Sequence, residues 1–119
     1  AIVHLATGAM TRLVSGAGTM LDGIDGMAPW RGGLIAIQNG TSPRRILHIE
    51  LNRAGDRIEG VRLLESNHPD WGEPTLGFVR DREFVYVADA QWERYGLAGA
   101  IVGEGPTRPT AIRALRLSN

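Results

Sequence analysis

The residues able to do chemistry in this chain are few, and they fall at the ends of apolar runs. Asp25 opens one such run, within Gly23-Ile24-Asp25-Gly26, and Gln38-Asn39-Gly40 closes the next. A second set, Glu73, Asp89, Gln91 and Trp92, occupies comparable places further along. A carboxylate beside neutral amides supplies hard oxygen donors, which suit a calcium-like cation or a polyhydroxylated ligand. The indoles of Trp71 and Trp92 add flat surfaces on which a sugar or lactone ring can stack. Each residue also has a plainer reading. Asp before Gly caps a turn through its own side chain, Asn39-Gly40 is an ordinary turn pair, and both indoles can be packing residues. Asp22 belongs to the loop before the first run.

Other chemistries are thinly represented. The chain has no cysteine, which removes disulfides, thiolate metal sites and cysteine nucleophiles together. His4 and His48 fall in the same register of two similar apolar runs, Ile2-Val3-His4-Leu5 and Ile46-Leu47-His48-Ile49, and read as structural. His68 precedes Pro69 in a polar loop that can approach the rim. No G-x-S-x-G elbow, H-E-x-x-H helix, phosphate-binding loop or dinucleotide fingerprint is present. Thirteen Lys and Arg balance 13 Asp and Glu, so the formal net charge is zero. A nucleic-acid or membrane-surface partner calls for a cationic excess and is not expected. Arg44-Arg45 and the trio Arg108, Arg113 and Arg116 read as solvated strand faces. No apolar run approaches the ~18 residues of a membrane span, and no targeting segment is visible, so the expected partner is a small molecule met in solution.

The elements that must position these residues are short strands. Sixteen glycines and six prolines in 119 residues favour many turns over long helices. Strands are predicted near Met27 to Trp30 and Leu34 to Gln38, joined so tightly that they must be antiparallel neighbours. That arrangement places Asp25 and the Gln38-Asn39 amides at one end of the hairpin. Arg45 to Leu51 alternates Ile46, His48 and Glu50 against Leu47, Ile49 and Leu51, a strand period. Asn52 to Asp56 forms a hairpin turn, and Ile58 to Glu65 pairs back. Four antiparallel strands therefore run in one meander from Met27 to Glu65.

After the polar loop Ser66 to Glu73 the pattern begins again. Pro74 to Val79 takes the place of the first strand, Arg80-Asp81-Arg82 of the tight turn, and Glu83 to Ala88 of the second strand. A long loop from Glu93 to Pro109 precedes a third strand at Ala111 to Leu117. Met10 to Leu21 can be spaced as a helix, but Gly16 and Gly18 would each cost ~1 kcal/mol inside one, which favours strand and loop. A four-stranded unit repeating at roughly 45–50 residues is the mark of propeller blades; a β-sandwich of the same strands is the alternative. The fold class is thus all-β. Residues 1–22 are expected to end one blade, 23–66 to form a complete one, and 67–119 to form most of a further blade.

The segment Ile24-Asp25-Gly26-Met27, with Gly33-Leu34-Ile35-Ala36, Asn39-Gly40 and Arg45-Ile46-Leu47-His48-Ile49, resembles a blade of the SMP-30/gluconolactonase family. That family's repeat runs P-D-G-hydrophobic, G-x-L-W-V, then R-V-x-R-hydrophobic. This chain departs from it at Ile24, where Pro is preferred, and at Ala36-Ile37, where Trp-Val is common. The resemblance implies a six-bladed propeller that holds a divalent cation, usually calcium, at its channel mouth and hydrolyses lactones or esters. Asp25 would be the metal ligand carried by this chain, with Gln38, Asn39, Glu73, Asp89, Gln91 and Trp92 on the substrate rim. The family's remaining ligands have no counterpart here. The chain is accordingly expected to be a C-terminal fragment, inactive alone, that pairs with the remaining blades or with itself. A propeller that binds ligands or proteins without chemistry is the alternative.

Overall fold

The computed structural model describes residues 1–16, 18–103, 105–106 and 108–118; positions 17, 104, 107 and 119 lie outside the described residues. The chain is all-β, in three antiparallel sheets. A two-stranded ribbon joins β1 (Ile2–Val3) to β2 (Met10–Thr11). A four-stranded sheet follows in chain order, from β3 (Ile24–Trp30) and β4 (Gly33–Gln38) to β5 (Arg45–Leu51) and β6 (Ile58–Ser66). The third sheet holds β7 (Gly77–Arg80), β8 (Glu83–Asp89) and β9 (Ala111–Arg116). Among the described residues the helical turns are two 3-10 segments, Trp92–Arg94 and Leu97–Gly99. Among the described residues no helix is long and apolar enough to cross a membrane.

The local chemistry of the turns sets the meander. Between β3 and β4, Arg31 and Gly32 both take left-handed φ, 44° and 74°. Two left-handed residues in sequence give the hairpin turn whose twist matches its strands. Between β5 and β6, the Asn52 Oδ1 accepts hydrogen bonds from the backbone N–H of Asp56 and Arg57 at 3.0 and 3.1 Å. Its amide nitrogen donates to Asp56 Oδ1 at 2.7 Å. One side chain therefore closes the loop that the sequence marks as a turn.

The core forms because β4 and β5 are apolar on both faces. On one face Ala28, Ile35, Ile37 and Ile46 meet Phe84, Tyr86 and Ala88 of the third sheet and Leu117 just beyond its last strand. On the other, Ala36, Leu47, Ile49 and Ile58 are covered by Leu13, Leu21 and Ile24. The N-terminal segment is fastened there by backbone bonds, Val14 N–H to Asp56 O at 3.0 Å and Ile58 N–H to Val14 O at 2.8 Å. The middle sheet is thus sandwiched, and β3 runs beside β7. That approach requires a glycine: a Cβ on Gly26 would overlap the carbonyl oxygen of Thr75.

The strands predicted over 45–51, 58–65 and 83–88 are present with ends shifted by at most one residue. The first repeat element is different. Only Ile2 and Val3 are paired, and His4 lies exposed outside the strand, so it does not share a place with His48, which is buried in β5. The Thr7-Gly8 break reverses the chain at once: His4 O accepts from the N–H groups of Thr7 and Gly8, and Gly8 has φ 69°. The strand predicted over 74–79 is displaced, with regular pairing from Gly77 to Arg80. Pairing nonetheless extends beyond its formal start, through Thr75 N–H to Val87 O at 3.1 Å and Val87 N–H to Leu76 O at 2.9 Å.

Candidate functional site

The rim predicted from the hairpin exists, but its side chains divide into three arrangements. At the start of β3, a bulge between Ile24 and Gly26 offsets the register while Ile24 still faces Gln38. Asp25 is exposed there, and its Oδ2 accepts a hydrogen bond from Asn39 Nδ2 at 2.9 Å. The same nitrogen donates to the carbonyl oxygen of Pro74 at 2.9 Å. Two oxygens, a carboxylate and a peptide carbonyl, thus converge on one point held by an amide N–H₂.

Gln38 turns the opposite way, as adjacent residues of a strand must. It is fully buried, its Nε2 donating to Met20 O at 3.2 Å and Asp22 O at 2.7 Å. Its Oε1 accepts from Arg45 Nε at 2.9 Å. The amide is therefore a clamp that closes the 18–23 loop onto the sheet. Each of its polar atoms has a partner, as a buried amide requires.

Asp89 and Gln91 form the third arrangement, with Arg108. Gln91 exchanges a pair of hydrogen bonds with the backbone of Arg108, Nε2 to O at 3.0 Å and Oε1 from N–H at 3.3 Å. Asp89 accepts from Gln91 N–H at 3.1 Å and from Arg108 NH2 at 3.2 Å. Together they pin the end of the long loop to the end of β8. Glu73 is tied to the same strand end through its backbone, its carbonyl oxygen accepting from Ala90 N–H at 3.0 Å. Trp92 is 60% exposed at the start of a 3-10 turn. Asp25 and Asn39 are the predicted rim residues that touch through their side chains, as are Asp89 and Gln91 through a main-chain donor.

A cluster that the sequence did not single out lies in the seam between the two larger sheets. Tyr86 OH donates to Glu65 Oε2 at 2.8 Å and accepts from Trp71 Nε1 at 2.8 Å. Arg113 NH1 donates to Asp70 Oδ2 at 2.6 Å, and its NH2 lies 2.9 Å from His68 Nε2 and 3.8 Å from Glu65 Oε1. Burial raises the Tyr86 phenol above its ordinary value, and the carboxylate of Glu65 adds to the effect while Trp71 and Arg113 oppose it. Tyr86 in turn raises Arg113 further. His68 is thereby turned to the seam and Trp71 is a packing residue, set edge-on to Tyr86 with ring centroids 6.3 Å apart. The parity of β8 carried the one legible signal: Tyr86 shares the inward face with Phe84 and Ala88, so its hydroxyl had to find a buried partner.

The arginines expected on solvated faces are mostly engaged. Arg113 is held in the seam, Arg108 pairs with Asp89, Arg45 with Gln38, and Arg44 NH1 donates to the carbonyl of Gly72. Arg116 remains exposed on the outer side of β9. A planar guanidinium offers several donors in fixed directions, which is why it ties loops to strands here. Among the described residues, no three His, Asp or Glu side chains converge as a metal-holding group. Comparison with protein-family models, curated proteins and solved structures returned no significant match.

Proposed function

We propose that this chain is a module of stacked propeller-type sheets that presents a rim for binding, without a hydrolytic centre of its own. The observation that carries the reading is the engagement of the rim polar groups with the fold itself. Gln38, Asn39, Asp89 and Gln91 each spend their donors or acceptors on the chain's own carbonyls, N–H groups or guanidinium groups. Groups committed in this way hold loops in place, leaving Asp25 and Trp92 as the exposed predicted rim residues. A small polyhydroxylated ligand that bonds to the exposed Asp25 carboxylate, or stacks on the exposed Trp92 indole, suits such a rim.

A second reading, a calcium-dependent lactonase-like hydrolase resembling the SMP-30/gluconolactonase family, has one observation in its favour. Asp25 Oδ2 and Pro74 O already converge on the Asn39 amide, so a cation would compete with that N–H₂ for the same oxygens. Two oxygens fall well short of the roughly 6–8 that calcium takes, and the donor set does not by itself fit the ion. Calorimetric titration with Ca²⁺ of the wild type and of Asp25→Ala decides between the two. Absence of saturable binding in both supports the binding module. Saturable binding in the wild type that is lost in Asp25→Ala overturns it in favour of the metal-dependent enzyme.

A further inference from the structure

The arginines of this chain differ in what neutralises them. Arg80, Arg108 and Arg113 each pair with a carboxylate. Arg44 is half-buried at the start of β5, yet among the described residues no carboxylate reaches it. Its place is nonetheless fixed. Its N–H donates to Asn67 Oδ1 at 3.1 Å, and its carbonyl oxygen accepts from Asn67 N–H at 3.0 Å and from Ser66 Oγ at 3.4 Å. The guanidinium is held by NH1, which donates to the carbonyl of Gly72. The Nε–NH2 edge stays uncommitted, and that edge is the side-on fork that takes two oxygens of one oxyanion. A side chain already ordered by the fold loses little further freedom when a ligand arrives.

Arg44 lines a cavity of about 520 Å³ together with Asn39, Gly40, Thr41, Ser42 and Asn67, a size that suits a small molecule. Its wall contains no carboxylate and no large apolar side chain. The polar groups there have defined vacancies. Asn67 Oδ1 is taken by the Arg44 N–H, so its Nδ2 is left to donate. Thr41 Oγ1 donates to Pro43 O at 3.4 Å, while the Ser42 hydroxyl is exposed and has no partner among the described residues. Asn39 commits its Nδ2 to Asp25 and to Pro74, which leaves Oδ1 as an acceptor. Donors and a fixed positive charge thus gather near Arg44, and acceptors gather at Asn39 and Asp25. Asn39 belongs to both sets, so the cavity is continuous with the Asp25 rim.

We propose that this cavity binds an anionic sugar, with its one oxyanion, a carboxylate or a phosphate monoester, on the Arg44 fork and its hydroxyls on Asn39 and Asp25. The proposal rests on the binding-rim reading above and adds to it the charge of the ligand and the residue that reads that charge. A neutral sugar satisfies the acceptors but leaves the guanidinium edge to water. The oxyanion exchanges that water for two charge-assisted bonds, which should favour it by at least about tenfold over the neutral sugar.

Titration with glucuronate, glucose 6-phosphate and glucose, followed by two-dimensional amide NMR at physiological salt, tests it in the wild type and in Asn67→Asp. The substituted carboxylate can still accept the Arg44 N–H, but it places a negative charge beside the fork. Thermal unfolding verifies that the variant folds, and Ser42→Asp, at an exposed position, is a second variant of the same kind. The expected result is saturable binding of at least one anion, with shifts at Asn39, Thr41, Ser42 and Asn67, at least about tenfold tighter than glucose. Either variant should weaken the anion by a similar factor and leave glucose unchanged. The anion that binds identifies the oxyanion as carboxylate or phosphate. Glucose bound as tightly as both anions overturns the proposal and leaves the binding-rim reading standing. Absence of binding by all three overturns both. Anion binding that both variants retain, or shifts confined to other residues, places the site elsewhere and overturns the proposal alone.

Discussion

Replacing Tyr86 by Phe removes one oxygen and leaves the ring stack with Phe84 in place, whose centroid lies 5.5 Å away at an interplanar angle of 13°. The lost hydroxyl makes two bonds of 2.8 Å, one to a carboxylate and one from an indole N–H. A hydrogen bond to a charged group contributes about 1.5–3 kcal/mol, and a part-buried donor left without a partner costs about 1–3 kcal/mol. Both figures shrink here, because the Glu65 side chain is 17% exposed to water and keeps Arg113 within 3.8 Å. A net loss of about 2 kcal/mol follows. For a chain of 119 residues that is a fall of roughly 6–12 °C in Tm. The pH dependence is equally specific. Burial raises the Tyr86 phenol in the folded state, so the folded chain holds this proton more tightly than the unfolded chain does. The resulting stabilisation is complete below the unfolded phenol value of about 10 and is lost as pH rises through the folded value. Urea unfolding of wild type and Tyr86→Phe at neutral and at strongly alkaline pH measures both effects. The gap between the two proteins should narrow at alkaline pH. A neutral-pH difference below about 0.5 kcal/mol, or a gap that widens with pH, would refute the claim that this hydroxyl ties the sheets together.

Two further changes probe the architecture. Gly26→Ala places a methyl group against Thr75 O and within 3.2 Å of Leu76 Cα; it should destabilise by about 1–3 kcal/mol through overpacking, read by thermal unfolding. Arg31→Asn should stabilise by about 0.5 kcal/mol in the same assay, because Asn tolerates the left-handed φ of 44° at this turn position better than Arg does. The gain is modest because the Arg31 guanidinium, 5.1 Å from the centre of the Trp30 ring, is lost with the substitution.

The meander from Ile24 to Ser66 was legible because its signals are local: a two-residue turn, an Asn-anchored loop and strands of clear period. The Asp25–Asn39 pair was legible for the same reason, since a tight hairpin leaves its two ends side by side. Gln38 was misplaced beside Asn39, although the twofold alternation of a strand separates neighbours onto opposite faces. His4 was misread because a short apolar run containing His looks alike in a strand and at the edge of a turn; the Thr7-Gly8 reversal decided its fate. The seam was out of reach. Glu65 meets Tyr86 across 21 positions and His68 meets Arg113 across 45, and the stacking of one sheet on another leaves no periodic trace in a sequence.

The connector between the two larger sheets is gripped by its peptide groups. Arg44 reaches the carbonyl of Gly72 and Asn39 that of Pro74, while Ala90 N–H binds Glu73 O and Thr75 N–H binds Val87 O. Every residue type carries the same carbonyl, so the instruction for docking is stored in the anchors Asn39 and Arg44 and in the lack of a Cβ at Gly26 and Gly72. Glu73 and Leu76 are then free to drift in identity while the stack keeps its geometry. A repeat wired in this manner can acquire new surface chemistry along its connectors without having to relearn how its layers fit.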